Sequence, residues 1–137
     1  MAVASASVFD LLRSLDLPAG DYAIFGSGPL IVRGIIEAAN DLDVLARGTA
    51  WDEAQQYGEL VYLPDHDVEI VSCFDGVVTI GTEWAIGEFN VDELIDSAEI
   101  IDGLPFVRLE YVILYKQIAG RPKDMRHLEL IKQAGLR

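Results

Sequence analysis

The sequence predicts an α/β or α+β sandwich of modest size, on three observations. The chain has 137 residues, 51% of them apolar, enough for one domain with its own core and too few for two ordinary ones. Segments of helical and strand periodicity alternate along it. No repeat, low-complexity tract or long linker interrupts it, so residues 1–137 read as a single domain.

The elements follow in order. Ser5 or Ser7 can cap a first helix through about Leu15, with Val8, Leu11, Leu12 and Leu15 on one face. Tyr22–Phe25 is a short apolar strand, followed by Gly26-Ser27-Gly28-Pro29. Pro29 suits the first turn of a helix, here expected to run to about Ala39. Asp41–Ala46 alternates polar and apolar and then turns apolar, a strand pattern. Thr49 can cap a short helix through Tyr57. Leu60–Leu63, Val68–Phe74 and Val77–Thr82 read as strands, the last two joined by the hairpin signal Asp75-Gly76. Asn90 caps a helix from Val91 to about Ser97, with Glu93 placed as in a capping box. Ala98–Ile101 reads as an edge strand. A long helix spans about Arg108–Ala119, Gly120 ends it, and Pro122 opens a last helix through about Ala134.

Composition excludes several classes. The longest apolar runs, such as Tyr111–Tyr115, fall far short of the roughly 20 residues a membrane span needs. The first basic residue is Arg13, so a secretory signal is not expected at this N-terminus, and a cytoplasmic location is the expectation. The single cysteine, Cys73, can form no internal disulfide and reads as a buried, inert thiol. Net charge is −13, which argues against coating nucleic acid. The charge is uneven. Residues 1–107 carry three basic residues (Arg13, Arg33, Arg47) and 20 acidic ones, while 108–137 carry seven basic against three acidic. The basic C-terminal segment can supply local phosphate contacts or simply a solvated helix surface.

The chemistry lies in Phe25-Gly-Ser-Gly28 followed by Asp41-Leu-Asp43. Side chains alternate along a strand, so Asp41 and Asp43 share one face about 7 Å apart. Two such carboxylates can converge on divalent cations, and Mg²⁺ favours one or two carboxylates plus phosphates and water. The Gly-Ser turn presents backbone N–H groups and a hydroxyl, which suit phosphate oxygens. Together the two elements fit a metal-bound triphosphate. Alone, each has a plainer reading: an Asp-x-Asp is usually a solvated face, and a Gly-Ser turn after a strand is common.

On these residues, and on Arg33-Gly34, Asn40–Val44, Ile101–Val107 and Gly120-Arg-Pro-Lys-Asp124, the chain resembles the minimal nucleotidyltransferases of the DNA polymerase beta superfamily. The resemblance spans about Ala19 to Leu136 and implies the nucleotidyltransferase fold, a mixed β-sheet with helices packed on one face. It further implies Mg²⁺ (or Mn²⁺) held by strand carboxylates, a nucleoside triphosphate such as ATP, and transfer of NMP to an acceptor with loss of pyrophosphate. By resemblance, Gly26 and Ser27 hold phosphates, Asp41 and Asp43 bind metal, and Lys116, Arg121 and Lys123 can reach phosphate.

The match departs in two places. A third carboxylate is expected in an apolar-acid-apolar triplet on a later strand, and the best-aligned triplet, Val78-Thr79-Ile80, has Thr79 there. Glu69, in Val68-Glu69-Ile70 on the neighbouring strand, can substitute as a catalytic acid if register allows, or face solvent. His127 stands where relatives often have an acid, and reads as a half-exposed helix residue. His66 reads as a surface residue, and Trp51, Trp84, Tyr57 and Phe89 as packing residues.

Two functions follow from the resemblance. One is an active transferase. The other is a catalytically degenerate binding module, such as the antitoxin-like partner of a second protein. Pairing with another protein or with itself is compatible with both.

Overall fold

The computed structural model describes residues 4–36, 41–65, 67–83 and 89–135, with side chains from Val8 onward. Asn40, His66 and Trp84, singled out above, lie outside those residues. Among the described residues the chain is mixed α and β, with seven strands in one sheet and six helices. The strands are β1 (Tyr22–Phe25), β2 (Leu42–Ala46), β3 (Glu59–Leu63), β4 (Val68–Cys73), β5 (Val78–Gly81), β6 (Glu99–Ile101) and β7 (Leu104–Phe106). The helices are α1 (Ala4–Leu15), α2 (Gly28–Val32), α3 (Gly48–Tyr57), α4 (Val91–Asp96), α5 (Leu109–Ala119) and α6 (Pro122–Gln133). No helix is long and apolar enough to cross a membrane.

The sheet order is β3-β4-β5-β2-β1-β7-β6. β2 runs antiparallel to β1 and parallel to β5, and β1 runs parallel to β7. The outer pairs β3–β4, β4–β5 and β6–β7 are antiparallel.

Helices pack on both faces of this sheet, a correction to the one-sided packing expected. Phe9, Leu12 and Leu15 of α1 and Ala50 and Ala54 of α3 join Ile24, Val44, Val71 and Ile80 in one core. Phe9 meets Phe106 edge-to-face, with ring centroids 5.6 Å apart. Ala23 and Leu45 face the other way and join Leu94 and Ile95 of α4, Val112 of α5 and Ile131 of α6. The cause is in the central strands. Tyr22, Ala23 and Ile24 are all buried, as are Val44, Leu45 and Ala46, so consecutive side chains need cover on opposite faces.

Several element ends differ from expectation. The first helix already begins at Ala4, so Ser5 and Ser7 lie within it. α2 stops at Val32, where Gly34 follows at φ +73°, a left-handed conformation that ends the helix. α3 starts at Gly48 with Arg47 as its N-cap, two residues ahead of Thr49, the cap expected from sequence. Asn90 does cap α4, accepting the Glu93 N–H at 3.1 Å. Gly120 does end α5, at φ +58°.

Candidate phosphate and metal site

β1 ends in Phe25 and passes into Gly26, whose φ of +69° is left-handed and suits glycine. A Cβ at Gly26 would lie 3.0 Å from Asp43 Oδ2, so this turn is packed against the Asp43 carboxylate. Ser27 follows as the N-cap of α2, and its carbonyl accepts the N–H groups of Leu30 and Ile31, both at 3.0 Å. Its side chain makes no capping hydrogen bond.

Register places Asp43 in a row across the sheet. Phe25 is its partner on β1 and Thr79 its partner on β5, and Thr79 is in turn the partner of Ser72 on β4. In-register partners share a face, so Asp43, Thr79 and Ser72 all lie on the face that carries α4, α5 and α6. Thr79 and Ser72 are both half-buried. Asp41, just before β2, is exposed and its charge acts on Asp43.

Asp43 is half-buried, and its pKa is raised from 3.8 to about 6. Burial is the main cause, and Asp41 adds repulsion. Lys123, Arg121 and Lys116 act in the opposite sense. These three cations belong to the segment that packs on the same side of the sheet as Asp43.

The three cations are not equivalent. Lys116 is 2% exposed, and its Nζ lies 3.4 Å from Asp124 Oδ1 and 3.1 Å from His127 Nδ1. Burial lowers its pKa, with Asp124 opposing. Asp124 is fully buried and accepts from Arg121 Nε at 2.6 Å, from its Nη2 at 3.1 Å and from its backbone N–H at 3.2 Å. Burial pushes the Asp124 carboxyl up, but the Arg121 hydrogen bonds and the Lys116 and Arg121 charges outweigh it, so its pKa falls. His127 is depressed from 6.5 to about 4 by burial first and then by Lys116, Arg126 and Lys123. A charged Lys116 can only donate, so the ring nitrogen facing it must be unprotonated. Lys123 is exposed and has no hydrogen bond or ion pair among the described residues.

The structure does not bring Glu69 to this cluster. Glu69 pairs with Tyr62 on β3 and lies three residues from Ser72, hence on the opposite face of β4. Among the described residues no three His, Cys, Asp or Glu side chains gather as a metal site. The aromatic residues divide. Trp51 and Phe89 are half-buried and pack against the two cores, and Phe89 meets Tyr115 with centroids 6.2 Å apart. Tyr57 is 47% exposed, which corrects its expected packing role. Cys73 is buried, and burial raises its pKa as expected of an inert thiol.

Sequence reasoning missed Asp124 as the organiser of the cations. Its signal was present: an acid three residues after Arg121, at the first turn of a helix opened by Pro122. The concave groove between α5 and α6, about 780 Å³ and lined by Ile113, Met125, Leu128 and Ile131 among others, contains none of the site residues.

No protein-family model matches the chain, and no curated protein or solved structure matches it.

Proposed function

We propose that this chain is a nucleotidyltransferase-like protein whose site binds a nucleoside triphosphate, ATP or a related nucleotide, together with one Mg²⁺ or Mn²⁺ ion. The observation that carries this reading is the packing of the Gly26 turn against the Asp43 carboxylate on the sheet face that also carries α5 and α6, from which the charges of Lys123, Arg121 and Lys116 act on it. A surface that holds paired acids beside paired bases suits a ligand that is itself a metal cation bound to phosphates.

The residues fit one ion. Asp41 and Asp43 are two hard oxygen donors on one face, and burial of Asp43 beside Asp41 makes its charged form costly unless a cation neutralises it. When bound, the ion supplies charge neutralisation and polarisation of phosphoryl oxygens. Gly26 leaves room for the Asp43 carboxylate, and the Ser27 side chain, next along the turn, makes no capping hydrogen bond. Lys123 and Arg121 offer phosphate contacts at the mouth, while Asp124 fixes the Arg121 guanidinium in place. Lys116 contributes field from within the protein rather than a direct contact, because it is buried.

Binding without efficient transfer is the form we favour, because Thr79 is the direct neighbour of Asp43 on β5. A threonine hydroxyl is neither a charged ligand nor a base at neutral pH. In this form the protein is a nucleotide-binding module, with a protein partner to read its loaded state. The transferase reading draws on one observation: Ser72 and Thr79 stay half-exposed on β4 and β5, which leaves space for an acceptor beside Asp43. Incubation with α-labelled ATP and Mg²⁺ separates the two. Label transferred to protein or to an added acceptor, and lost in Asp41→Asn, selects the transferase. Protection by MgATP against thermal unfolding with no label transfer selects the binding module.

A further inference from the structure

The hairpin that joins β4 to β5 is strained at its tip. Phe74 and Asp75 sit at φ +54° and +57°, in the left-handed region. The Gly76 N–H donates to the Cys73 carbonyl and the Val77 N–H to the Phe74 carbonyl, each at 3.2 Å, which closes the tip. Aspartate tolerates that region, but a bulky side chain there is an outlier, because its Cβ crowds the following carbonyl. Burial does not account for the phenylalanine. Its ring is 40% exposed, belongs to neither core and meets no other ring among the described residues.

Register carries this tip to the Asp43 site. Cys73 pairs with Val78, and Val78 with Leu42, so Phe74 leaves the sheet at the end where Asp41 precedes β2. The Leu42 N–H donates to the Val77 carbonyl at 2.7 Å, which ties the tip to β2 directly after Asp41. The Gly26 turn leaves β1 at that same end, after Phe25, the partner of Asp43. The tip also leans toward the Asp43 face, since a Cβ on Gly76 would lie 3.8 Å from Ser72 Oγ. Asp43, Thr79 and Ser72 form the row between the Gly26 turn and the tip, and neither hydroxyl makes a hydrogen bond among the described residues.

We infer that a nucleotide bound at this site lies across β5 and β4, with its base stacked on the Phe74 ring and its sugar over the Thr79 and Ser72 hydroxyls. The inference rests on the nucleotide reading of the Asp43 site and adds to it the residue that takes the base. The span fits. From β1 to β4 is three strand spacings, about 14 Å, the order of the reach of an extended nucleoside triphosphate from terminal phosphate to base. Every nucleobase has a π-face, so an exposed aromatic ring gives affinity rather than choice of base. The two hydroxyls can each donate to and accept from a ribose hydroxyl. A nucleotide in this position covers the space beside Asp43 that an acceptor would need, which accords with binding without transfer.

Isothermal titration of Mg²⁺–ATP and of Mg²⁺–tripolyphosphate into wild type, Phe74→Asn and Phe74→Trp tests the placement. Tripolyphosphate carries the phosphates and no base. Phe74→Asn is expected to weaken ATP binding about five- to a hundredfold, the loss of one base–aromatic stack, and to bind tripolyphosphate as wild type does. Phe74→Trp is expected to keep the ATP affinity. Asparagine favours the left-handed region, so unliganded Phe74→Asn is expected to melt no lower than wild type, which separates lost stacking from lost fold. Equal ATP affinity in wild type and Phe74→Asn would overturn the placement of the base and leave the phosphate and metal site standing. A parallel loss of tripolyphosphate affinity, or a lower melting temperature, would make Phe74 a structural residue and overturn it as well. A wild type that binds neither probe would overturn both the placement and the nucleotide reading beneath it.

Discussion

Asp43 and Thr79 stand opposite each other across the parallel β2–β5 pair, a half-buried carboxylate beside a hydroxyl. Adding a carboxylate at that position tests the proposed metal site directly. Thr79→Asp is expected to tighten Mn²⁺ binding at least tenfold, about 1.4 kcal/mol, because a third carboxylate joins Asp41 and Asp43 on one face. The same variant is expected to be less stable without metal, through like-charge repulsion. Mn²⁺ titration followed by electron paramagnetic resonance measures the first effect, and urea unfolding the second. Unchanged Mn²⁺ affinity would place the metal elsewhere.

Asp124 holds Lys116 and Arg121 together from a fully buried position. Asp124→Ala leaves a buried ammonium without its carboxylate, which costs roughly 3–5 kcal/mol. Lys116→Met/Asp124→Leu removes both charges and is expected to recover most of that loss. Urea denaturation of the single and double variants checks the pair. A loss below about 1 kcal/mol for the single variant contradicts it.

Lys123 is exposed and Lys116 buried, so the proposed site predicts different losses for the two. Lys123 is exposed and unpaired among the described residues, so Lys123→Ala is expected to weaken ATP binding several-fold while leaving the unfolding midpoint within about 0.5 kcal/mol of wild type. Lys116→Ala is expected to lower stability first. Equal losses of stability in the two variants would show that both are structural.

Two groups give opposite pH dependences over overlapping windows. The His127 pKa falls from 6.5 to about 4 on folding, so the unfolded chain binds more protons between those values. Its contribution to stability is intact above pH 6.5 and is lost as pH falls toward 4. The Asp43 pKa rises from 3.8 to about 6, so its contribution is favourable below pH 3.8 and is lost as pH rises through 6. Asp43→Asn is therefore expected to be more stable than wild type at pH 7, by on the order of 1–3 kcal/mol, with the advantage gone near pH 4. His127→Gln is expected to flatten the decline between pH 6.5 and 4. Urea midpoints at pH 4, 5.5 and 7 resolve both, and an Asp43→Asn variant less stable than wild type at pH 7 contradicts the Asp43 assignment.

Much of this architecture is legible in the residues. The Tyr22–Phe25 strand, the Asn90 cap, the Gly120 terminator and the Pro122 helix start all carry local signals that the structure bears out. β7 does not, because Leu104-Pro-Phe106 has too short a pattern and its strand character comes from parallel pairing with Ile24. The two-sided cover of the sheet also escapes a local reading. It follows from consecutive buried residues in β1 and β2, which periodicity alone cannot assign to a face. At the site, alternation places Asp41 and Asp43 on one face from sequence alone. The arrival of Lys116, Arg121 and Lys123 at Asp43 depends on how α5 and α6 dock, and the face of Glu69 on the β3–β4 register.

The most direct measurement is isothermal titration of ATP into wild type and into Asp41→Asn/Asp43→Asn, each with and without Mg²⁺. Binding by wild type only with Mg²⁺, lost in the folded double variant, is the expected result. No binding by wild type at millimolar MgATP, or equal binding by the double variant, would contradict the metal–nucleotide site.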